Sequence, residues 1–365
     1  MTRPRCRPRL VLCAVALALL AGVASPARAA DSKEERRRRV EEAARVGSYP
    51  ARDFTEAFVY QSKNYIVRTN TSKEVAFYVG ELMDFAQKHY RRIFRYTGEM
   101  PTLAIHAYRT DSEYQRVAVK AGLPGSNGFF SRQGGESTIH VAYTDTYGET
   151  QPTKTLLHEG THQFVSIVMD YRIPETFRHR FVDGMETLPS VPLWLNEGLA
   201  TYMECSYYDG NILVVGEVNR PRLLELQHEL RSNQHVPLET LFRTHSPRAF
   251  GPAHYAAAWG VVYWFRHGKD PRERALKRRI LTDYLAACRR GFFEKPEADL
   301  EPFLTDDFQD RWRRHIAARS FEAFTHMTVG PNGSFAKWEA VWKKWILSLD
   351  PNDPHGGLGD QKADD

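Results

Sequence analysis

Hydrophobic and polar positions follow different periods in the two halves of the chain. In the first half, three segments alternate in the way that is typical of strands, and they cover 58–69, 101–108 and 137–143. A helix is predicted after the first of them, with Asn70 or Thr71 as its N-cap. Its apolar positions recur at helical spacing, and they are Val75, Tyr78, Val79, Leu82, Phe85 and Tyr90.

The rest of the pattern is mostly helical. A short helix over 111–121 and a glycine-rich loop over 122–135 separate the second strand from the third. Later helices are predicted over 153–171, 193–207, 221–231, 254–266, 272–289, 308–317 and 336–347. Strands early and helices late predict an α+β fold, with an N-terminal mixed-sheet lobe followed by a C-terminal helical lobe.

The charge of the chain depends on where its arginines lie. The formal net charge is +5, but residues 1–29 hold five arginines and no acid, so the remainder has 45 basic and 45 acidic side chains. A neutral remainder predicts neither a nucleic-acid partner nor binding to an anionic membrane surface. A chain of 365 residues is also long for one compact core, so two lobes are expected.

The first 29 residues have the layout of a cleaved signal peptide. A basic start precedes an apolar run over 10–23, and small residues flank position 28. The run is short for a membrane span, although an uncleaved signal anchor remains the alternative. We therefore expect a secreted or periplasmic protein without stable membrane insertion. Cys205 and Cys288 remain after cleavage, either as a disulfide or as two free buried thiols.

A metal-binding pattern lies in the helix predicted over 153–171. His158, Glu159 and His162 form the sequence HExxH. Histidines four residues apart lie on one helix face, where their imidazoles can share a Zn²⁺ ion, and the glutamate is placed to activate water. The sequence therefore predicts zinc as the cofactor and Glu159 as a general base.

The residues alone leave the third metal ligand open. Val165 and Val168 occupy the positions where a metzincin has Gly and His, so that class is excluded. Glu197 is a carboxylate in a second apolar helix. The competing side chains lie between the two helices, and they are Glu175, His179, Asp183 and Glu186.

HExxH followed by WLNEGLATYME at 194–204 resembles the gluzincin zinc peptidases, especially the M1 family of aminopeptidases. The resemblance implies a zincin-like catalytic core with Glu197 as the third ligand, and Thr201 is a candidate partner that orients a ligand. It also implies a tyrosine that stabilises the oxyanion. Tyr255 is the candidate and His254 the runner-up, against the alternative that Tyr255 is a core aromatic residue.

Two departures limit the resemblance. The connection over 171–192 is longer than in the M1 family, and the exopeptidase box of that family has no counterpart near 134–137. Aminopeptidase activity therefore does not follow. The chain is more similar to peptidase-MA-like bacterial proteins, with the matching motifs between about residues 130 and 265.

Other chemistry-bearing residues are interpreted as structural. His140 is expected to be a strand residue rather than a ligand. The strand over 137–143 resembles the edge strand along which gluzincins bind an extended peptide. Trp338, Trp342 and Trp345 recur at helical spacing, which favours helix packing over a sugar-binding surface.

The predicted domain organisation has four parts. A signal peptide over 1–29 and a charged lead-in over 30–50 precede a peptidase domain over 51–350, and a disordered tail covers 351–365. The domain divides into an α+β lobe over 51–170 and a mainly helical lobe over 171–350. We expect a zinc metallopeptidase that acts on peptide or protein substrates. The alternatives are a zinc hydrolase acting on another amide or ester, and a catalytically silent zinc-binding or scaffold protein.

Overall fold

The structure, a computed structural model, confirms the α+β class. It describes residues 48–49, 57–133, 136–143, 152–173, 175, 187–267, 271–290, 307–328 and 334–355. The predicted signal peptide and all but two residues of the predicted lead-in lie outside the described residues. No helix among the described residues is long and apolar enough to cross a membrane.

One mixed sheet organises the N-terminal part. Its strands are β1 (Ser48–Tyr49), β2 (Ala57–Gln61), β3 (Tyr65–Thr69), β4 (Leu103–Tyr108), β5 (Gly128–Gln133) and β6 (Glu136–Ala142). Their order across the sheet is β1-β2-β3-β4-β6-β5. The central strands β3, β4 and β6 are parallel, with Ile105 opposite Ile139, and the outer pairs are antiparallel.

The strand predicted over 58–69 is two strands, because a turn interrupts it. The Ser62 N–H donates to the Tyr65 carbonyl at 2.9 Å. The Asp84 carboxylate then accepts from the backbone N–H groups of Lys63 and Asn64, both at 3.0 Å. These bonds satisfy the backbone N–H groups where the chain reverses direction. The alternating pattern of apolar and polar residues does not reveal this turn, because the turn is short and polar.

The prediction of a glycine-rich loop over 122–135 is wrong for the second half of that segment. Residues Gly128–Gln133 form β5, which pairs with β6 from Gly128 opposite Val141 to Gln133 opposite Glu136. The edge-strand prediction is wrong for the same reason. β6 lies between β4 and β5, so β5 is the edge strand on this side of the described sheet.

Most described helices match predicted ones, but the helix Leu238–Arg243 has no predicted counterpart and the helix predicted over 153–171 ends at Val168. The described helices are α1 (Lys73–Ile93), α2 (Asp111–Lys120), α3 (Thr153–Val168), α4 (Leu193–Glu204), α5 (Arg220–Ser232), α6 (Leu238–Arg243), α7 (Pro252–Arg266), α8 (Pro271–Arg290), α9 (Phe308–Thr328) and α10 (Phe335–Leu347). The N-cap of α1 is Ser72 rather than Asn70 or Thr71, since the Ser72 hydroxyl accepts from the Val75 N–H at 3.3 Å.

Two short antiparallel strand pairs lie between helices. β7 (Tyr171–Arg172) pairs with β8 (Thr187–Leu188), and β9 (Ser206–Tyr208) pairs with β10 (Leu213–Val215). The helix predicted over 193–207 therefore ends at Glu204, and the one predicted over 308–317 continues to Thr328. Residues 351–355 of the predicted tail are described, and the Pro354 carbonyl accepts from the Val218 N–H at 2.8 Å. The rest of the predicted tail, 356–365, lies outside the described residues.

The three helices α3, α4 and α7 lie in one cluster of buried side chains that extends from Tyr65 to Leu349. Two glycines allow close approaches here, Gly198 between α4 and α7 and Gly160 between α3 and α1. A Cβ at Gly198 of α4 would lie 2.8 Å from the Ala258 carbonyl oxygen of α7, so the two backbones touch there. A Cβ at Gly160 of α3 would lie 2.8 Å from the Tyr90 hydroxyl. Close packing of this kind fixes where the side chains on the opposite helix faces lie.

Two smaller sequence predictions are settled by packing. The tryptophans of α10 serve helix packing as predicted, since Trp342 is fully buried and the rings of Trp338 and Trp264 lie 5.0 Å apart. Cys205 and Cys288 are free thiols. Burial raises the pKa of the Cys205 thiol to about 12, so it remains protonated and unreactive at neutral pH.

Candidate metal centre

The side chains of His158, His162 and Glu197 converge between α3 and α4. The Nε2 atoms of the two histidines are 3.0 Å apart, and Glu197 Oε2 lies 3.5 Å from each of them. One ligand atom from each residue falls within 4.8 Å of the other two. This is the only group of three or more His, Cys, Asp or Glu side chains in the described part of the chain that could hold a metal ion.

The local sequence explains the convergence. His158 and His162 are one turn apart on α3, so both imidazoles leave the same face. Glu197 is in the first turns of α4, next to Gly198, whose contact with α7 sets the position of that helix. The predicted ligand set is therefore brought together by two helices that approach closely.

The donors fit a metal ion. Glu197 Oε2 is buried and has no hydrogen-bond partner among the described residues, an arrangement that is costly without a compensating ligand. Two nitrogen ligands of a tetrahedral zinc ion lie about 3.3 Å apart, and the three donor separations here are 3.0, 3.5 and 3.5 Å. Two imidazoles and one carboxylate leave the fourth position open, which is typical of catalytic rather than structural zinc sites.

Glu204 orients the first histidine. The Nδ1 atom of His158 lies 2.6 Å from Glu204 Oε1, so its N–H donates to the carboxylate and Nε2 is left to face the centre. Thr201, the residue predicted for such a role, does not have it, because its buried hydroxyl has no hydrogen-bond partner among the described residues. Glu204 is seven residues after Glu197, two helical turns along the same face, and this spacing is the signal that could have identified it.

Removing the Glu204 carboxylate should weaken metal binding. Glu204→Gln leaves a side chain of the same size but a weaker acceptor for the His158 N–H, and loss of such a partner typically costs 10- to 100-fold in metal affinity. The measurement is competition with a chelator of known affinity. Thr201→Val is the matched control, since it removes a hydroxyl on the same helix that contacts no ligand. Equal affinities for the two variants would contradict the role of Glu204.

Charge couples the three ligands. Burial lowers the pKa of His158, but the Glu197 and Glu204 carboxylates outweigh it and raise the pKa to about 10. Burial alone would raise the pKa of Glu197, but the two histidines lower it well below its usual range. Protons and a metal ion therefore compete for the same nitrogen atoms, and metal binding releases protons.

Glu159 lines the cavity beside this group without belonging to it. It follows His158 directly and is turned about 100° around α3 from it. The edge strand β5 passes close by, because a Cβ at Gly128 would lie 3.3 Å from Glu159 Cγ and would overlap the Thr155 side chain. The glutamate is thus held between the metal ligands and β5, at the place predicted for a general base.

Tyr255 reaches the same cavity from the start of α7. Its ring centroid is 6.5 Å from that of His158, and Arg222 lies over the ring at 5.4 Å. Burial raises the pKa of the Tyr255 hydroxyl, and the Glu197 and Glu159 carboxylates raise it further, so it stays a proton donor at neutral pH. Tyr255 packs half-buried against the core and also faces the cavity. Its position is therefore compatible both with a core aromatic residue and with a residue that contacts a substrate.

The other candidates serve structural roles or lie elsewhere. His254 accepts a hydrogen bond from the Gly251 N–H at 3.4 Å at the start of α7 and does not line the cavity. His140 is a buried strand residue, as predicted, with hydrogen bonds to Tyr108 and Ser131. Glu175 is not part of the metal-binding group. The other three competing ligands, His179, Asp183 and Glu186, lie outside the described residues.

A cavity of about 400 Å³ contains the centre. It runs along α3, with β5 and the loop before it on one side and α4 and α7 on the other. Its lining residues are Leu123, Ser126, Gly128, Phe129, Phe130, His158, Glu159, His162, Val165, Ser166, Asp170, Pro189, Asn196, Glu197 and Tyr255. The site can therefore admit a substrate larger than water.

Comparisons with known proteins do not assign the chain to a family. No family model matches the sequence, and no curated protein matches it significantly.

Proposed function

We propose that the chain is a zinc metallopeptidase of the gluzincin type. One observation carries the proposal. His158, His162 and Glu197 converge in an open cavity that Glu159 also lines, without being one of the three converging groups. A structural zinc site is normally closed by four protein ligands. This group has three, and the Glu159 carboxylate lies beside the position that is left open.

The ligand set favours zinc as the metal. Two imidazoles and one carboxylate with an open position form the His₂Glu arrangement of catalytic zinc. When bound, zinc supplies a Lewis acid that acidifies water and polarises a carbonyl oxygen. His158, His162 and Glu197 would hold it, and Glu204 would fix the orientation of His158.

The protein residues have distinct roles in the proposed hydrolysis. Glu159 accepts a proton from the attacking water and later delivers it to the leaving amine nitrogen. The Tyr255 hydroxyl donates a hydrogen bond to the oxygen of the former carbonyl as negative charge develops there. The raised pKa of Tyr255 supports this role, since a neutral phenol is a donor and a phenolate is not.

The edge strand β5 is the proposed support for an extended substrate. It pairs on one side with β6, and its residues Gly128, Phe129 and Phe130 line the cavity beside the metal ligands. An extended peptide can add to a free strand edge through backbone hydrogen bonds. A peptide or protein chain is therefore favoured over a compact amide or ester as the substrate.

The proposed location follows from the sequence alone. The N-terminal pattern favours export with removal of residues 1–29, which would place the enzyme in the periplasm or outside the cell.

Loss of the Tyr255 hydroxyl should slow hydrolysis without removing the metal. Tyr255→Phe is expected to reduce kcat about 10- to 10³-fold, because one donor to the developing oxyanion is lost. Turnover and metal content of the same preparation are measured. Tyr263→Phe, which removes a hydroxyl in the buried core, is the matched control. A Tyr255→Phe variant as fast as the control would remove Tyr255 from the mechanism.

A peptide-library digest tests the proposed function itself. The chain lacking residues 1–29 is loaded with zinc, incubated with diverse peptides and analysed by mass spectrometry. New termini that disappear on chelation and return with zinc support the peptidase. A protein that binds zinc with the proposed ligands but cleaves no peptide would instead support the scaffold alternative, and cleavage limited to esters or small amides would support the other hydrolase.

A further inference from the structure

A second acidic group lies in the cavity at a distance from the metal ligands. Asp170 lines the cavity just beyond the end of α3, together with Ser166. Ser166 is one turn beyond His162 on α3, and Asp170 follows two residues after the helix ends at Val168. At 1.5 Å per residue, the end of α3 is roughly 9 Å beyond His162 along the axis. Asp170 is therefore too far away to be a metal ligand and close enough to contact a bound peptide.

We propose that Asp170 forms a subsite that binds a cationic group of the substrate, and that the enzyme therefore prefers peptides with a lysine or arginine side chain at one position near the cleaved bond. This inference rests on the proposed function and specifies its substrate class.

The charge of the cavity supports a cationic partner. Its described lining includes three carboxylates, Glu159, Glu197 and Asp170, and neither lysine nor arginine. Glu197 belongs to the metal group and Glu159 to the proposed proton transfer, which leaves Asp170 without a part in the chemistry. Ser166 beside it adds a hydroxyl that can accept a hydrogen bond from an ammonium or guanidinium group.

Burial disfavours the charged form of Asp170 in the absence of a cationic partner. Burial raises the pKa of this carboxyl to about 8, and hydrogen bonds from Ser166 and the Ser190 backbone, together with the nearby Arg132, offset burial only in part. Arg132 also donates to the Thr187 hydroxyl at 3.4 Å and does not line the cavity. With a pKa of about 8 this carboxyl is mostly protonated at neutral pH on its own. A cation that enters the cavity would favour the ionised form and pair with it, and a buried charge pair of this kind contributes strongly to specificity.

The geometry of β5 places this subsite along the proposed substrate path. Gly128 at the start of β5 lies against Thr155 and Glu159, while Arg132 near its end lies close enough to Asp170 to influence its charge. β5 and α3 therefore run side by side from the general base to Asp170. At about 3.3 Å per residue, and allowing for the length of a lysine side chain, the cation belongs to a residue about two or three positions from the cleaved bond.

Peptide binding tests the subsite separately from catalysis. The probes are fluorescent peptides of one host sequence in which lysine is placed at each position in turn, with norleucine as its uncharged counterpart. Zinc-loaded Glu159→Gln protein is used so that the peptides stay intact, and affinity is measured by fluorescence anisotropy. Each peptide is prepared with a free and with an acetylated N-terminus, so that a preference for the α-amino group is distinguished from one for the side chain.

The expected result is at least about tenfold tighter binding of lysine than norleucine at one position, which falls to within about twofold when Asp170→Asn is added. Glu239→Gln is the matched control, because it removes one exposed carboxylate on α6, away from the cavity, and should leave the preference unchanged. Thermal unfolding shows whether Asp170→Asn is folded.

Three results would overturn the subsite, and the first and the last of them need no variant of Asp170. Equal binding of lysine and norleucine peptides at every position by the protein with Asp170 intact would do so, as would a preference lost equally in the Glu239→Gln control. A preference confined to the free N-terminus would assign the cation to the α-amino group and contradict a side-chain subsite. A lysine preference without any cleavage by the wild type would keep the subsite and refute the peptidase.

Discussion

Replacing Glu159 with Gln is expected to lower peptide hydrolysis by at least about 10²-fold, the lower end of what a positioned general base contributes. The amide keeps the size of the side chain beside β5 but cannot accept the proton from water. Because Glu159 is not one of the converging ligand groups, zinc content and thermal unfolding should remain at wild-type values. The measurement is turnover, metal content and unfolding temperature on the same preparations.

The control for Glu159→Gln is Glu204→Gln, which makes the same chemical change on the other side of His158. Its activity should recover when zinc is added in excess, since Glu204 acts through metal affinity, whereas the activity of Glu159→Gln should not. A Glu159→Gln enzyme that turns over peptide at the wild-type rate would refute the proposed mechanism.

Replacing His162 with Ala is expected to abolish stoichiometric zinc binding and, with it, hydrolysis. The wild type should purify with about one zinc ion per chain, because three protein ligands converge and the fourth position is open. Two remaining ligands cannot hold the ion at the same affinity. Elemental analysis measures the zinc, and His228→Ala on the exposed side of α5 is the matched control.

The unfolding temperature in the presence of zinc is a second test of the His162→Ala prediction. An ion that binds only the folded state stabilises it by about 4 kcal/mol when its concentration is 1,000 times its Kd. Added zinc should therefore raise the unfolding temperature of the wild type and of His228→Ala but not that of His162→Ala. One zinc ion per chain in the His162→Ala protein would refute the ligand assignment.

The sequence predicted those parts of the site that depend on one helix. The spacing of His158 and His162 defines their relative position once the segment is helical, and Glu159 follows from its neighbour. Glu197 required the resemblance to known peptidases, because nothing in the spacing alone distinguishes it from other carboxylates. Its convergence with the histidines then depends on packing between α3, α4 and α7, which no local pattern describes.

The features that were missed depend on tertiary pairing. β5 was hidden in a glycine-rich stretch, and only its ladder with β6 makes it a strand. Asp170 appears in the sequence as an ordinary polar residue at a helix end, and its raised pKa is caused by burial that the fold creates. The role of Glu204 depends on the side chain reaching His158 across the contact between α3 and α4, which the sequence of one helix does not show.

The contact between α4 and α7 has a consequence for how the protein can change over evolutionary time. Because the backbone at Gly198 lies against that of Ala258, the contact with α7 positions α4 and with it Glu197. The constraint falls on position 198, where any side chain would separate the two helices. Variation among descendants of this gene should accordingly be least at that single glycine.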